Sequence, residues 1–217
     1  MVRLNEKAES DAVGALKRAA MKLFAERGVD GVTVREIASA AGQKNHGAVG
    51  YHFGSKSDLI RALVVDGAKL IDERRNADLA QFDSSGGEPA LEDIVRTLVY
   101  PSIDVAQPGE EECYNRFVVL FAMTHRDRFM EALAGQWNTG FQTCIKLLRA
   151  RMHHLPPRLQ TERIVFIESY LGAVLAARET RLADDSRAHS IWSTTEVLDH
   201  FVQTICAIVT APAPDAL

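Results

Sequence analysis

Apolar residues along this chain recur almost everywhere at the helical spacing of three to four, and nowhere alternate over a useful length as strands do. From Asp11 to Glu26 the positions Leu16, Ala19, Ala20, Leu23 and Phe24 mark one helix face, and Gly28 follows as a stop. Thr33-Val34-Arg35-Glu36 has the form of a capping box, so a second helix begins there. Its short apolar face, Val34, Ile37, Ala38 and Ala41, ends at Gly42. A third short helix is expected from His46 to His52, with Asn45 as its N-cap. Ser55-Lys56-Ser57-Asp58 opens a fourth, striped by Leu59, Ile60, Leu63, Val64, Leu70 and Ile71.

Turn-forming residues then divide the chain at Phe82–Pro89, at Gln107-Pro108-Gly109 and at Leu155-Pro156-Pro157. Helical patterns are expected over about 90–105, 110–124, 127–153, 158–183 and 188–209, with a frayed tail APAPDAL. The predicted fold is all-α, with about nine helices: a three-helix head, a connecting fourth helix and a larger helical body. The expected division is a head over 1–55 and a regulatory, dimerising body over 56–217.

Charge sharpens this picture. The chain of 217 residues has a net charge of −4, which by itself opposes nucleic-acid binding. Residues 1–61, however, hold ten Lys and Arg against seven Asp and Glu, a net +3, while the remaining 15 basic and 22 acidic residues give −7. A basic head on an acidic body suits a protein that touches phosphates with one end. The three cysteines (Cys113, Cys144, Cys206) form no CxxC pair and read as free thiols of a reducing cytoplasm. Neither a metal site nor a cofactor is implied. No run of 18 apolar residues predicts a membrane span, and the N-terminus lacks a secretory pattern. The sequence has no GxGxxG, P-loop, HExxH or GxSxG, so catalysis is not expected.

Two short helices joined by a glycine turn and preceded by a supporting helix are the parts of a helix-turn-helix. The segment FAERGVDGVTVREIASAAGQKNHGAVGYHFGSKSDL strongly resembles the DNA-binding region of the tetracycline-repressor (TetR/AcrR) family. The resemblance rests on LF-ERG, T-REIA--AG and YHF-SK-DL, over about residues 12–64. Two features depart from the family's pattern: one extra residue between Gly42 and the recognition helix, and Gly50 where an aromatic residue is common.

The resemblance implies a homodimeric regulator, most often a repressor, bound to double-stranded, near-palindromic operator DNA and released by a small apolar effector. It places Thr33, Tyr51, His52 and Lys56 at phosphates; their hydroxyl, imidazole and ammonium groups suit that role. Arg35, Lys44, Asn45, His46 and Ala48 are the candidates for base edges, Asn45 toward adenine and the Ala48 methyl toward thymine. Val49 and Phe53 are expected to point inward. Arg116, Phe117, Phe121, His125, Trp137, Phe141, Phe166 and Tyr170, with Met123 among them, lie where family members enclose an effector. The apolar run 164–177 and the last helix carry Leu171, Val174, Leu175, Leu198, Phe201, Val202 and Ile205, expected at a dimer interface. The competing reading is a helical scaffold or small-molecule carrier that has lost specific DNA binding.

Overall fold

The computed structural model describes residues 2–186, 188–189, 191–192 and 194–213, with side chains from Glu9 onward except those of Asp83 and Ser85. Among them are ten α-helices and one 3-10 turn, and no strand. In order these are α1 (Val2–Arg27), α2 (Val34–Ala40), α3 (Ala48–Phe53), α4 (Lys56–Ser85), α5 (Leu91–Val99), the turn Tyr100–Ser102, α6 (Tyr114–Thr124), α7 (Arg126–Leu133), α8 (Thr139–Arg151), α9 (Pro157–Leu182) and α10 (Thr195–Thr210). The all-α expectation holds. The single helix expected over 127–153 is two, because Ala134 and Gly135 both turn left-handed, at φ 47° and 68°. The helix expected over 90–105 ends at Val99, because Pro101 two residues on cannot continue its hydrogen bonding and the chain tightens into a 3-10 turn. Of the expected frayed tail, Pro214–Leu217 lie outside the described residues.

The chain forms two compact units, and neither coincides with the division at residue 55. The head unit is Met1–Gly67 together with Cys113–Ala134; the body is Ala68–Glu112 with Gly135–Leu217. In the head, α1 packs on α2 and α6. Leu16, Ala20, Phe24, Val32, Ile37, Val49, Leu59 and Leu63 are closed off from solvent, as the stripes of the first four helices dictate. Phe24 stacks on Phe117 at 6.0 Å and Phe117 on Phe121 at 5.9 Å, so α6 completes this core with an aromatic row. Tyr114 seats α6 on α4: buried, it donates its hydroxyl to the Val64 carbonyl at 2.9 Å, and its ring lies against Gly67. A β-carbon at Gly67 would fall 2.6 Å from Tyr114 Cδ2 and closer still to Cε2, so only glycine admits the ring.

In the body, α5 packs on α8 and α10, and α9 on α8 and α10. Their shared core takes in Ile94, Leu98, Leu148, Met152, Ile167 and Ile205. Polar side chains close the helix ends. Buried Asp72 on α4 accepts from Gly140 N and Thr139 Oγ1, both at 2.8 Å, so it caps the start of α8, where Asn138 makes no side-chain cap. Arg74 donates to the carbonyls of Pro101 and Ile103 beyond α5, and Arg163 to those of Val209 and Ala211 at the end of α10.

Candidate DNA interface

Three chemically distinct joints hold the head. The first is the start of α2. Thr33 stands in extended backbone (φ −95°, ψ 156°), and its hydroxyl accepts from Glu36 N at 3.3 Å. Glu36 reaches back to accept from Thr33 N at 2.7 Å and from the Thr33 hydroxyl at 2.8 Å, completing the capping box. Arg27 from the end of α1 pairs with the other Glu36 oxygen at 2.8 Å. The Thr33 backbone N–H, then its hydroxyl, then Arg27 hold the Glu36 carboxyl down at about 2, so the box stays ionised at any physiological pH.

The second joint is the turn between the two short helices. Gly42, at φ +67°, ends α2: its neighbour's amide, Gln43 N, reaches back to Ala38 O at 2.9 Å, the glycine-dependent helix stop expected there. The chain then runs out through Lys44, Asn45 and His46, all exposed. The recognition helix α3 starts at Ala48, two residues later than expected, with Gly47 as its N-cap. Asn45 is therefore not the cap. Its side-chain oxygen instead accepts from Gly47 N at 2.8 Å, a short-range turn that takes up the extra residue before the helix can begin.

The third joint is the α3–α4 corner. Gly54, at φ +83°, ends α3 with its amide on Gly50 O at 3.0 Å. Ser55 accepts from Asp58 N at 3.1 Å and so caps α4. Lys56 stands immediately inside that helix, half-buried, with its ammonium 5.9 Å from the centre of the Phe24 ring.

These joints present one face of α3 to solvent. Tyr51 is 77% exposed, and its ring meets the edge of half-buried His52 at 4.8 Å. Thr33, Arg35, Lys44, Asn45 and His46 are exposed as well. Ala48 is not: only 5% exposed, it packs into the head with Val49, and its methyl is unavailable to a thymine. The later start of α3 turns residue 48 from the outer face to the inner one. Val49 is fully enclosed and Phe53 half-buried, and Gly50 opens onto free space.

The expected effector residues do not form one group. Arg116, Phe117, Phe121 and His125 belong to the head unit, and Trp137, Phe141, Phe166 and Tyr170 to the body. Phe117 and Phe121 are filled into the aromatic row of the head core. His125 pairs with Asp30 of the α1–α2 loop at 2.9 Å. Met123 is 81% and Phe166 59% exposed, so neither lines a closed cavity. In the body, Trp137 lies under Lys69 and Phe141 under Arg75, while Tyr170 meets Phe201 edge-on at 5.0 Å.

The residues expected at the dimer interface lie in the chain's own core. Leu171, Leu175, Leu198, Phe201, Val202 and Ile205 are all buried within the chain, and Val174 packs against the same core. Exposed residues of those helices include Val165, Phe166, Glu168, Ser169, Ala173 and Ala177 on α9, and His200, Gln203 and Ala207 on α10. Cys113 and Cys144 are buried, burial pushing the Cys144 thiol up to about 11, and Cys206 is half-buried.

A supporting helix, two short helices at a glycine turn and an exposed aromatic on the second define a helix-turn-helix DNA-binding module. The same segment, residues 16–63, matches the family model of bacterial regulatory proteins of the tetR family. Over 183 residues, 83% of this chain and 85% of the relative, the chain is 43% identical to the HTH-type transcriptional repressor AcnR of Corynebacterium efficiens. Over equal shares it is 27% identical to AcnR of Corynebacterium glutamicum. The solved structure of "superantigen pfit" is similar in fold, with a TM-score of 0.51 at 18% identity over 88% of this chain and 86% of that one. The chain belongs to the TetR family of transcriptional regulators. It is a DNA-binding regulator and not an enzyme. Among the described residues no helix is long and apolar enough to cross a membrane.

Proposed function

We propose that this regulator is a cytoplasmic repressor that grips a near-palindromic operator as a homodimer and lets go when a small apolar molecule binds its body. The observation that carries the DNA half of this reading is Tyr51, 77% exposed on the outer face of α3 beside His52. With Lys56 at the start of α4, these side chains supply the hydroxyl, imidazole and ammonium that phosphate oxygens accept from. Thr33 joins them by exchanging its bond to Glu36 for one to phosphate. The exposed run Lys44-Asn45-His46 and Arg35 then face the bases, with Asn45 trading its Gly47 bond for an adenine edge. Ala48 takes no part.

The open stripe of α9 supports the dimer. Val165 and Phe166 are 50% and 59% exposed, and Ser169, Ala173 and Ala177 beyond them are small enough for another helix to come close. His200, Gln203 and Ala207 of α10 add a polar and small-residue margin. One three-helix head makes few contacts, and two related by a dyad read two half-sites. Half-buried Trp137, Phe141 and Tyr170 of the body are the aromatic surface for the effector. The effector acts by its differential affinity for two forms of the dimer.

The test is binding to DNA upstream of the regulator's own gene, with competition by unrelated duplex. Tyr51→Phe and Lys56→Ala weaken binding to all sequences alike, while Asn45→Ala shifts sequence preference. Binding that never prefers one sequence over another overturns the repressor reading and returns the chain to a scaffold or carrier.

A further inference from the structure

Beside the start of α4 the head carries a shallow recess lined by Val29, Asp30, Lys56, Ser57, Ile60 and Arg128. Its floor is apolar, Val29 and Ile60 being buried. Its lining includes two cations from different helices, Lys56 of α4 and Arg128 of α7. Arg128 is held in place twice over: its Nη2 donates to Ser57 Oγ at 3.1 Å, and its guanidinium lies 5.6 Å from the centre of the Phe121 ring. Arg128 is exposed, and its guanidinium fork has further donors beyond the one that Ser57 accepts from.

Neither cation is paired. Asp30, which also lines the recess, is bonded to His125 at 2.9 Å, and among the described residues neither Lys56 nor Arg128 has an ion-pair partner. The Ser57 hydroxyl accepts from Arg128, so its own proton is free to point into the recess. An ammonium, a hydroxyl and a guanidinium edge thus line one recess, and its two cations outweigh the one carboxylate, Asp30, so that together they complement an anion with several acceptor oxygens.

We propose that Arg128 is a DNA-backbone contact contributed from outside the helix-turn-helix, holding with Lys56 and Ser57 a single operator phosphate. This rests on the reading that Lys56 meets the DNA backbone, and it adds α7 to the binding surface. A phosphodiester and a free phosphate ion share the chemistry, so the experiment separates them.

Affinity for a duplex selected from a random pool by the wild-type protein is measured by fluorescence anisotropy from 50 to 300 mM KCl, on the order of the range where counterion release dominates. Arg128→Ala lowers the slope of log affinity against log salt by about 0.9 for each bound head, as Lys56→Ala does. It weakens binding about tenfold at ~100 mM salt. Arg128→Gln, which keeps a donor for Ser57 without the charge, shows the same loss of slope; Arg128→Lys restores it. Equal melting temperatures of wild type and Arg128→Gln establish that the loss is not one of folding. If Lys56→Ala flattens the slope and neither Arg128→Ala nor Arg128→Gln does, Arg128 is not a contact while the Lys56 reading stands. If Lys56→Ala also leaves the slope unchanged, both readings fail. Without DNA, inorganic phosphate at matched ionic strength leaves the melting temperature of wild type and Arg128→Gln equal. A rise confined to the wild type assigns the recess to free phosphate and overturns the DNA assignment.

Discussion

Replacing Gly67 by alanine sets helix propensity against packing, and the structure decides the sign. Gly67 lies inside α4, where alanine is favoured over glycine by about 1 kcal/mol because glycine loses more backbone freedom on folding. At this position the added β-carbon would fall 2.6 Å from Tyr114 Cδ2, well inside contact distance, with Cε2 and Cζ nearer still. Tyr114 cannot simply rotate aside, being buried against the head core and tied to Val64 O at 2.9 Å. Overpacking a core costs about 1–3 kcal/mol. Losing the Tyr114 hydrogen bond adds about 1 kcal/mol. Against the propensity gain, the balance is a net destabilisation of about 1–3 kcal/mol. For a chain of this size that lowers the melting temperature by about 2–4 °C per kcal/mol. Circular dichroism at 222 nm (a helical band) follows the melt of four proteins: wild type, Gly67→Ala, Tyr114→Ala and the double variant. With the ring gone only propensity remains, so Gly67→Ala stabilises the Tyr114→Ala background by about 0.5–1 kcal/mol. A Gly67→Ala protein that melts above wild type would refute the claim that Tyr114 dictates glycine there.

Other outcomes follow from the same geometry. Glu36, held down at about 2 in the folded head against 4.5 unfolded, stabilises the head above the unfolded value, and that contribution is lost as pH falls from 4.5 toward 2. Glu36→Gln therefore melts below wild type at pH 7 and converges on it near pH 2, and a gap that persists unchanged into acid would count against the capping box. Phe166→Asp, on the open stripe of α9, converts dimer to monomer in analytical ultracentrifugation without lowering the monomer's melting temperature. Leu175→Asp, in the core, destabilises the chain itself. Ala48→Gly lowers head stability by about 1 kcal/mol and leaves sequence preference unaltered, because that methyl faces inward.

Much of the head was legible in the sequence because its joints are short-range chemistry. Thr33 with Glu36, Gly42 with its left-handed turn, and Ser55 with Asp58 each involve residues within five positions of one another. The start of α3 was not legible to that depth. Asn45 is as good an acceptor for a turn as for a helix, and the turn took it, which moved Ala48 to the inner face. The body misled in a different way. A helix apolar nearly all round, such as 164–177, announces burial but not which side is covered by its own chain. Leu171 and Leu175 went to the internal core, and the side left open carries Val165 and Phe166 with the small residues Ser169, Ala173 and Ala177. Phe117 and Phe121 lie within the stretch 56–217 expected to form the body, yet α6 returns to the head, where Phe117 stacks on Phe24 and Phe121 on Phe117. Periodicity carries no information about such long-range returns.

The central claim, that α3 and the start of α4 form a sequence-selective DNA surface, is tested most directly by competition binding across a salt series. Wild-type protein is titrated onto a duplex carrying the sequence it selects, against the same duplex with that sequence scrambled. The account predicts a selected-site affinity on the order of a thousandfold or more above the scrambled one. It also predicts a steep fall of both with salt, less steep when Lys56 is alanine. Equal affinities for the two duplexes, or a slope indifferent to Lys56, would contradict it.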